Sequence, residues 1–134
     1  MLELTSFRKA IDSLSESLDW YRDESTVAPP EILRDSAIQR FEYTYELAWK
    51  MMKRWLEVNI GTSYVDGISR KELFRMAAEQ RLIDDPLKWF EYHEARNQTS
   101  HTYDESTAQD VFSVVGSFLD DAEKFLKALE NRND

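Results

Sequence analysis

The sequence predicts an all-α protein, an antiparallel bundle of about five helices, and three observations carry that expectation. Apolar residues recur at steps of three and four through most of the 134-residue chain. No segment shows the period-two alternation of a half-buried strand. Three glycines and three prolines are too few for a fold built on many tight turns. The length, with 42% hydrophobic residues, suits a single domain, residues 1–134, closing on one core. No internal repeat or low-complexity tract divides it.

The first helix is expected over residues 2–27, where Leu4, Phe7, Ile11, Leu14, Leu18 and Tyr21 make one stripe. It has to end before Ala28-Pro29-Pro30, because prolines lack the backbone donor and clash with the preceding turn. The second is expected over residues 32–58, with Ile38, Phe41, Tyr45, Ala48, Met52 and Trp55 inward and Asn59-Ile60-Gly61 as its stop. A connection over 61–68, containing Gly67, leads to Ser69-Arg70-Lys71-Glu72, which has the Ser-x-x-Glu form of a capping box. The third helix then runs to residue 80 with Leu73, Met76 and Ala77 inward. Asp84-Asp85-Pro86 reads as an N-cap followed by proline at the first helical position, so a fourth helix opens there and closes at Arg96 or Asn97. Ser106-Thr107-Ala108-Gln109 looks like another capping box, opening a fifth helix over 106–130 with Val111, Val115, Phe118, Ala122, Phe125 and Leu129 inward.

Composition narrows the function classes. No cysteine is present, which removes disulfides, thiolate nucleophiles and Cys-ligated zinc or iron–sulfur sites. The apolar runs fall far short of a membrane span, and Met1-Leu2-Glu3-Leu4-Thr5 lacks the regions of a signal peptide, so a soluble cytoplasmic protein without a membrane partner is expected. A formal net charge of −9 at first disfavours nucleic acid, since phosphate contacts need Lys and Arg. That charge is uneven: residues 1–33 carry −4, 34–81 carry +2 and 82–134 carry −7. The middle third holds Arg34, Arg40, Lys50, Lys53, Arg54, Arg70, Lys71, Arg75 and Arg81, which make either a local basic face or ordinary solvated helix surface. The acidic ends suit a basic partner protein as well as RNA.

Chemistry concentrates in Arg96-Asn97-Gln98-Thr99-Ser100-His101-Thr102-Tyr103. An arginine holds phosphate, a histidine moves a proton near neutral pH, and a phenol hydrogen-bonds or accepts a modification. His101 is one of only two histidines in the chain. Asn, Gln, Ser and Thr favour caps and turns, so the backbone is expected to leave the fourth helix near Arg96 and enter the fifth near Ser106. In a continuous helix, positions five apart diverge by about 140°. A break would let Arg96 and His101 converge. The structural alternative pairs Arg96 with Glu94 or Glu91 and leaves His101 capping a helix end.

Other clusters carry less. His93 with Glu91, Glu94 and Asp104 has no recognised metal-ligand spacing and reads as helix surface. Phe41, Tyr43, Tyr45, Trp49 and Trp55 present faces on which bases stack, yet their spacing indicates core or a dimer seam. Glu42 and Glu46, one turn apart, read as solvated or as contacts for a partner's basic groups.

Three strings together, 34–50 (Arg34-Asp35-Ser36-Ala37-Ile38-Gln39-Arg40-Phe41-Glu42-Tyr43-Thr44-Tyr45-Glu46-Leu47-Ala48-Trp49-Lys50), Leu82-Ile83-Asp84-Asp85 before Trp89, and 96–103, resemble the nucleotidyltransferase substrate-binding family. That family is also described as HepT-like, within the HEPN superfamily of helical, frequently ribonucleolytic domains. The resemblance covers roughly residues 5–130. It implies a toxin that is a metal-independent endoribonuclease, needing no cofactor, with RNA as substrate and its site formed across a homodimer. It places the catalytic roles on Arg96 and His101, with Asn97 orienting phosphate or imidazole. It further implies a partner, a cognate minimal nucleotidyltransferase acting as antitoxin, which transfers AMP to Tyr103. The family name records a second possibility, a non-catalytic subunit that presents a nucleotide or substrate to a separate nucleotidyltransferase. Arg-x4-His-x-Tyr fits both.

Overall fold

The computed structural model describes residues 2–132 and forms six α-helices and one 3-10 turn: α1 (Thr5–Arg22), α2 (Pro30–Asn59), α3 (Thr62–Val65), α4 (Arg70–Glu79), α5 (Pro86–Asn97), the turn Thr99–His101, and α6 (Glu105–Arg132). Residues 1, 133 and 134, at the ends of the expected domain, lie outside the described residues. All five expected helices are present, α3 is an addition, and no strand occurs among the described residues. No helix there is long and apolar enough to cross a membrane.

Local side-chain chemistry sets the boundaries and moves three of them. Helix α1 stops at Arg22 and not at Val27. Asp23 accepts hydrogen bonds from the Ser25 backbone N–H at 2.9 Å and its hydroxyl at 2.7 Å, and Thr26 donates to the Trp20 carbonyl. Those bonds offer the chain an alternative to another helical turn. Helix α2 opens at Pro30, earlier than its apolar stripe indicates, because the first turn tolerates a residue without N–H. Helix α6 opens at Glu105, since Asp104, and not Ser106, accepts from the Thr107 N–H at 3.0 Å. Asp85 caps α5 as expected, accepting from the Leu87 N–H, whereas the box at Ser69 forms by half: Ser69 accepts from the Glu72 N–H, but the Glu72 carboxylate pairs with Arg75. The unforeseen α3 is one turn that buries Val65 between Gly61 and Gly67, whose φ angles of +132° and +77° suit a residue without Cβ.

Helices α1 and α2 form an antiparallel hairpin and α6 packs on both; α5 lies on α2 and α6, and α4 on α2 and α5. The expected inward positions are buried except Tyr21, which is exposed and leans on Phe112, and Trp55 and Met76, which are half-buried. Aromatic rings make the centre. Trp89, 1% exposed, meets Phe74, Tyr92, Phe118 and Phe125 at centroid distances of 5.8, 5.4, 5.7 and 6.2 Å. Phe118 also stands edge-on to Phe41 at 5.0 Å. One charge is buried with them: Arg34 pairs with Glu105 at 2.7 Å and with Asp35 at 3.4 Å, clipping the start of α2 to the start of α6. That pairing raises the Arg34 pKa above its ordinary value and lowers that of Glu105.

Trp89→Ala removes the ring on which four aromatic neighbours converge, and the space cannot fully collapse. Urea unfolding is expected to show a loss of about 3–5 kcal/mol.

Candidate functional site

The break expected after Arg96 is built by its polar residues. The Gln98 N–H donates to the carbonyls of Glu94 and Ala95, Thr99 Oγ1 donates to the Arg96 carbonyl at 2.8 Å, and Thr102 Oγ1 donates to that of Thr99 at 3.2 Å. The His101 N–H donates to Gln98 and its carbonyl accepts from Asp104, closing the turn onto the start of α6. Asn97, His101 and Tyr103 are all exposed, Tyr103 by 87%. The His101 and Tyr103 rings stand edge to face at 6.2 Å.

Arg96 looks the other way. Its Nε donates to Glu46 at 3.0 Å and its Nη2 lies 3.6 Å from Glu42, and its side chain keeps 31% of its exposure. The structure therefore unites Arg96 with Glu42 and Glu46, and His101 with Tyr103. Among the described residues no hydrogen bond or ion pair joins Arg96 to His101. Neither the local pairing with Glu91 or Glu94 nor the solvated reading of Glu42 and Glu46 holds, because the acids of α2 sit directly across from α5.

Behind this pair lies a second group, which joins His93, expected on the helix surface, to the inward Tyr45 and to Trp49. Glu46 accepts from Trp49 Nε1 at 3.0 Å, and the Arg70 guanidinium stacks 3.6 Å from the Trp49 ring centre. Arg70 also donates to the Tyr45 hydroxyl at 3.2 Å, and that hydroxyl lies 2.8 Å from His93 Nδ1. A guanidinium only donates, whereas the phenol oxygen both donates and accepts, so the tautomer of His93 sets which atom donates in its bond with Tyr45. His93 is thus a half-buried member of a network and no simple helix-surface residue. Its burial, followed by the charge of Arg70, lowers its pKa below the ordinary 6.5, and burial pushes the Tyr45 phenol up to about 12. His93, Glu91, Glu94 and Asp104 assemble no metal site, and no group of three or more such ligands does among the described residues.

Residues 42, 45, 46 and 49 fall at i, i+3, i+4 and i+7 on α2, so one helical stripe faces α5 with two acids, a phenol and an indole. That periodicity was visible in the sequence; what it faced was not. Chemically, the break carries an exposed imidazole and phenol, while on the other side of the α5 terminus a half-buried guanidinium is held by carboxylates that a competing anion can replace.

A family model described as nucleotidyltransferase substrate binding protein like matches residues 2–131. The Haemophilus influenzae protein named Probable ribonuclease HepT is 40% identical over 109 residues, which cover 78% of this chain and 75% of that protein. A solved structure from the same organism, described as revealing the fold of a substrate binding domain of a nucleotidyltransferase, superposes with a TM-score of 0.90 at 34% identity, covering 96% of this chain and 99% of that one. A crystal structure from Thermus thermophilus superposes with a TM-score of 0.71 at 30% identity, covering 90% and 98%.

The network makes stability depend on pH. With the His93 pKa lower in the folded chain than in the unfolded one, the unfolded chain binds the extra proton more readily. The contribution of His93 is therefore complete above the unfolded value and is lost as pH falls below it. Urea midpoints taken on either side of about pH 6.5 should differ, and His93→Gln, which keeps an acceptor for Tyr45 without titrating, should reduce that difference.

Proposed function

The chain belongs to the nucleotidyltransferase substrate binding protein like family, and from that premise we propose that it is a metal-independent endoribonuclease of the HepT kind, the toxin of a toxin–antitoxin pair. The observation that carries this reading is Arg96-x4-His101-x-Tyr103 set at a helix break, with the imidazole exposed and the guanidinium held by displaceable carboxylates. The 40% identity to a protein named as a probable ribonuclease supports it.

In this reading His101 takes the proton from a ribose 2′-hydroxyl, whose oxygen attacks the adjacent phosphorus while the 5′-oxygen leaves and takes up a proton. Arg96 leaves Glu42 and Glu46 for the phosphate and stabilises the charge that builds on its equatorial oxygens. Asn97, on the last turn of α5, orients the phosphate or the imidazole. The products are a 2′,3′-cyclic phosphate and a free 5′-hydroxyl. A homodimer completes the cleft by bringing two copies of the motif together across a two-fold axis. A partner minimal nucleotidyltransferase supplies control: the Tyr103 oxygen attacks the α-phosphorus of ATP and pyrophosphate leaves. The added phosphodiester then occupies the place of the substrate's own phosphate beside Arg96. The second reading is a non-catalytic subunit of a two-component nucleotidyltransferase. It is favoured by the description of the Haemophilus influenzae structure as a substrate binding domain.

Purified protein incubated with total RNA and EDTA separates the two. Cleavage should persist in chelator, fall about 10²–10⁴-fold in His101→Ala, and fall also in Arg96→Lys, because a point charge cannot reproduce a bidentate contact. No cleavage by the unmodified wild type leaves the binding-subunit reading.

Tyr103 gives an independent test. Intact mass after incubation with the partner transferase, ATP and magnesium should rise by AMP in wild type and stay unchanged in Tyr103→Phe, while Tyr103→Phe keeps its RNase activity. AMP on another residue overturns the assignment of Tyr103.

A further inference from the structure

Two cavities flank the Arg70–His93 pair, outside the Arg96–His101 motif. One, of about 360 Å³, is lined by Phe74, Phe90 and Val114 with Lys71, Glu91 and Glu94. The other, of about 400 Å³, presents Lys53, Ser69 and Trp49. Arg70 and His93 line both, so a largely apolar chamber shares a wall with a mixed one, in which Val65, Ile68 and Leu73 stand beside the cations Lys53 and Arg70. Both volumes fall within the range of small-ligand sites, in which aromatic walls and a few placed polar groups are usual.

We propose that one nucleoside monophosphate unit spans the two chambers, its base against Phe90, its ribose over the Arg70–His93 wall and its phosphate on Lys53 and Arg70. The orientation follows from charge. Glu91 and Glu94 would repel a phosphate from the apolar chamber, but their carboxylates accept hydrogen bonds from an exocyclic amine. Lys53 and Arg70 meet no acid among the residues lining the second chamber. His93 adds a polar edge: its Nδ1 is hydrogen-bonded to the Tyr45 hydroxyl, and its Nε2 has no partner among the described residues and suits a ribose hydroxyl, which both donates and accepts. Phe90 is half-buried with Lys71 and Arg75 each 5.6 Å from its ring centre, a cation-flanked aromatic surface of the kind on which bases stack. The chambers also lie close to the proposed cleavage site. His93 and Arg96 are one turn apart on α5, and Glu46 bonds both Arg96 and Trp49, so a strand that reaches Arg96 has its neighbouring nucleotide within range of His93.

The unit has two possible sources, an RNA strand or a free nucleotide. The inference rests on the ribonuclease reading only for the first, and binding is measured without cleavage so that the two fail separately. The full chain carrying His101→Ala is titrated with AMP, with ribose 5-phosphate and with a five-nucleotide RNA, following the His93 and Phe90 ring resonances by NMR. Ribose 5-phosphate should bind more weakly than AMP. Phe90→Ala and Lys53→Ala should each weaken binding about tenfold or more. Binding of AMP alone assigns the free nucleotide as source, binding of RNA alone assigns the strand, and competition between them places both in one site. Absence of ring shifts with both ligands, or affinity unchanged in both variants, overturns the proposal. If Phe90→Ala unfolds, as circular dichroism would reveal, Lys53→Ala decides it.

Discussion

Helix α2 is the surface on which the bundle is laid, and its apolar face is the constraint that the rest obeys. Ala37, Ile38, Phe41, Tyr45, Ala48, Met52 and Leu56 are all buried, and every other helix packs on some part of α2. Burying those side chains contributes roughly 1.5–3 kcal/mol for each large one, so neither rotation nor sliding of α2 comes cheaply. The adjoining stripe of the same helix carries Glu42, Glu46 and Trp49. Core packing thereby fixes where the acids stand against α5, and Arg96 is held as a by-product of hydrophobic burial. Tyr45 belongs to both faces: its ring contacts Phe41, Phe74 and Phe118, and its hydroxyl links Arg70 to His93.

The hold on Arg96 is suited to exchange. The Arg96, Glu42 and Glu46 side chains keep about a third of their exposure or more, and ion pairs at such positions contribute only about 0–1 kcal/mol. A phosphate offers a guanidinium the same charge with two oxygens in fixed geometry, so the exchange costs little. The carboxylates still narrow the directions the guanidinium samples before a ligand arrives. Arg34 shows the contrasting use of the same chemistry. Its side chain is almost fully enclosed and its partner Glu105 lies in the first turn of α6, so it clips two helices and offers nothing to a ligand.

The parts legible in the sequence were those governed by near neighbours. The stripes of α1, α2 and α6, the caps at Ser69 and Asp85, and the break after Arg96 all follow from residues within a few positions of one another. Where local signals competed, the boundaries moved: Asp23 and Thr26 ended α1 early, and Asp104 took the capping role assigned to Ser106. The contacts that characterise the candidate site span much longer separations. Arg96 meets acids fifty and more residues earlier in the chain, and His93 meets a tyrosine at a separation of 48. One clue was present. Tyr45 stood on an inward stripe with a hydroxyl that burial obliges to find a partner, and Glu42 and Glu46 repeated at the spacing of one helix face.

The charge pattern takes a narrower meaning once the cations of the middle third are placed. Arg34 is committed to Glu105, Arg40 donates to the Ser13 carbonyl and lies over Trp20, and Arg75 pairs with Glu72. Arg81 holds φ of 61° at the exit of α4, where its carbonyl accepts from Arg132. Beside the Arg70–His93 wall, Lys53 and Lys71 line the cavities, Lys71 over the Phe90 ring, and Lys50 lies over Trp49. A chain of net charge −9, whose cations are partly committed to its own acids and carbonyls, does not gather a polyanion by counterion release along its length. Its discrimination has to come from a few placed phosphate contacts and from stacking, which is how proteins recognise short, unpaired stretches of nucleic acid better than regular duplex.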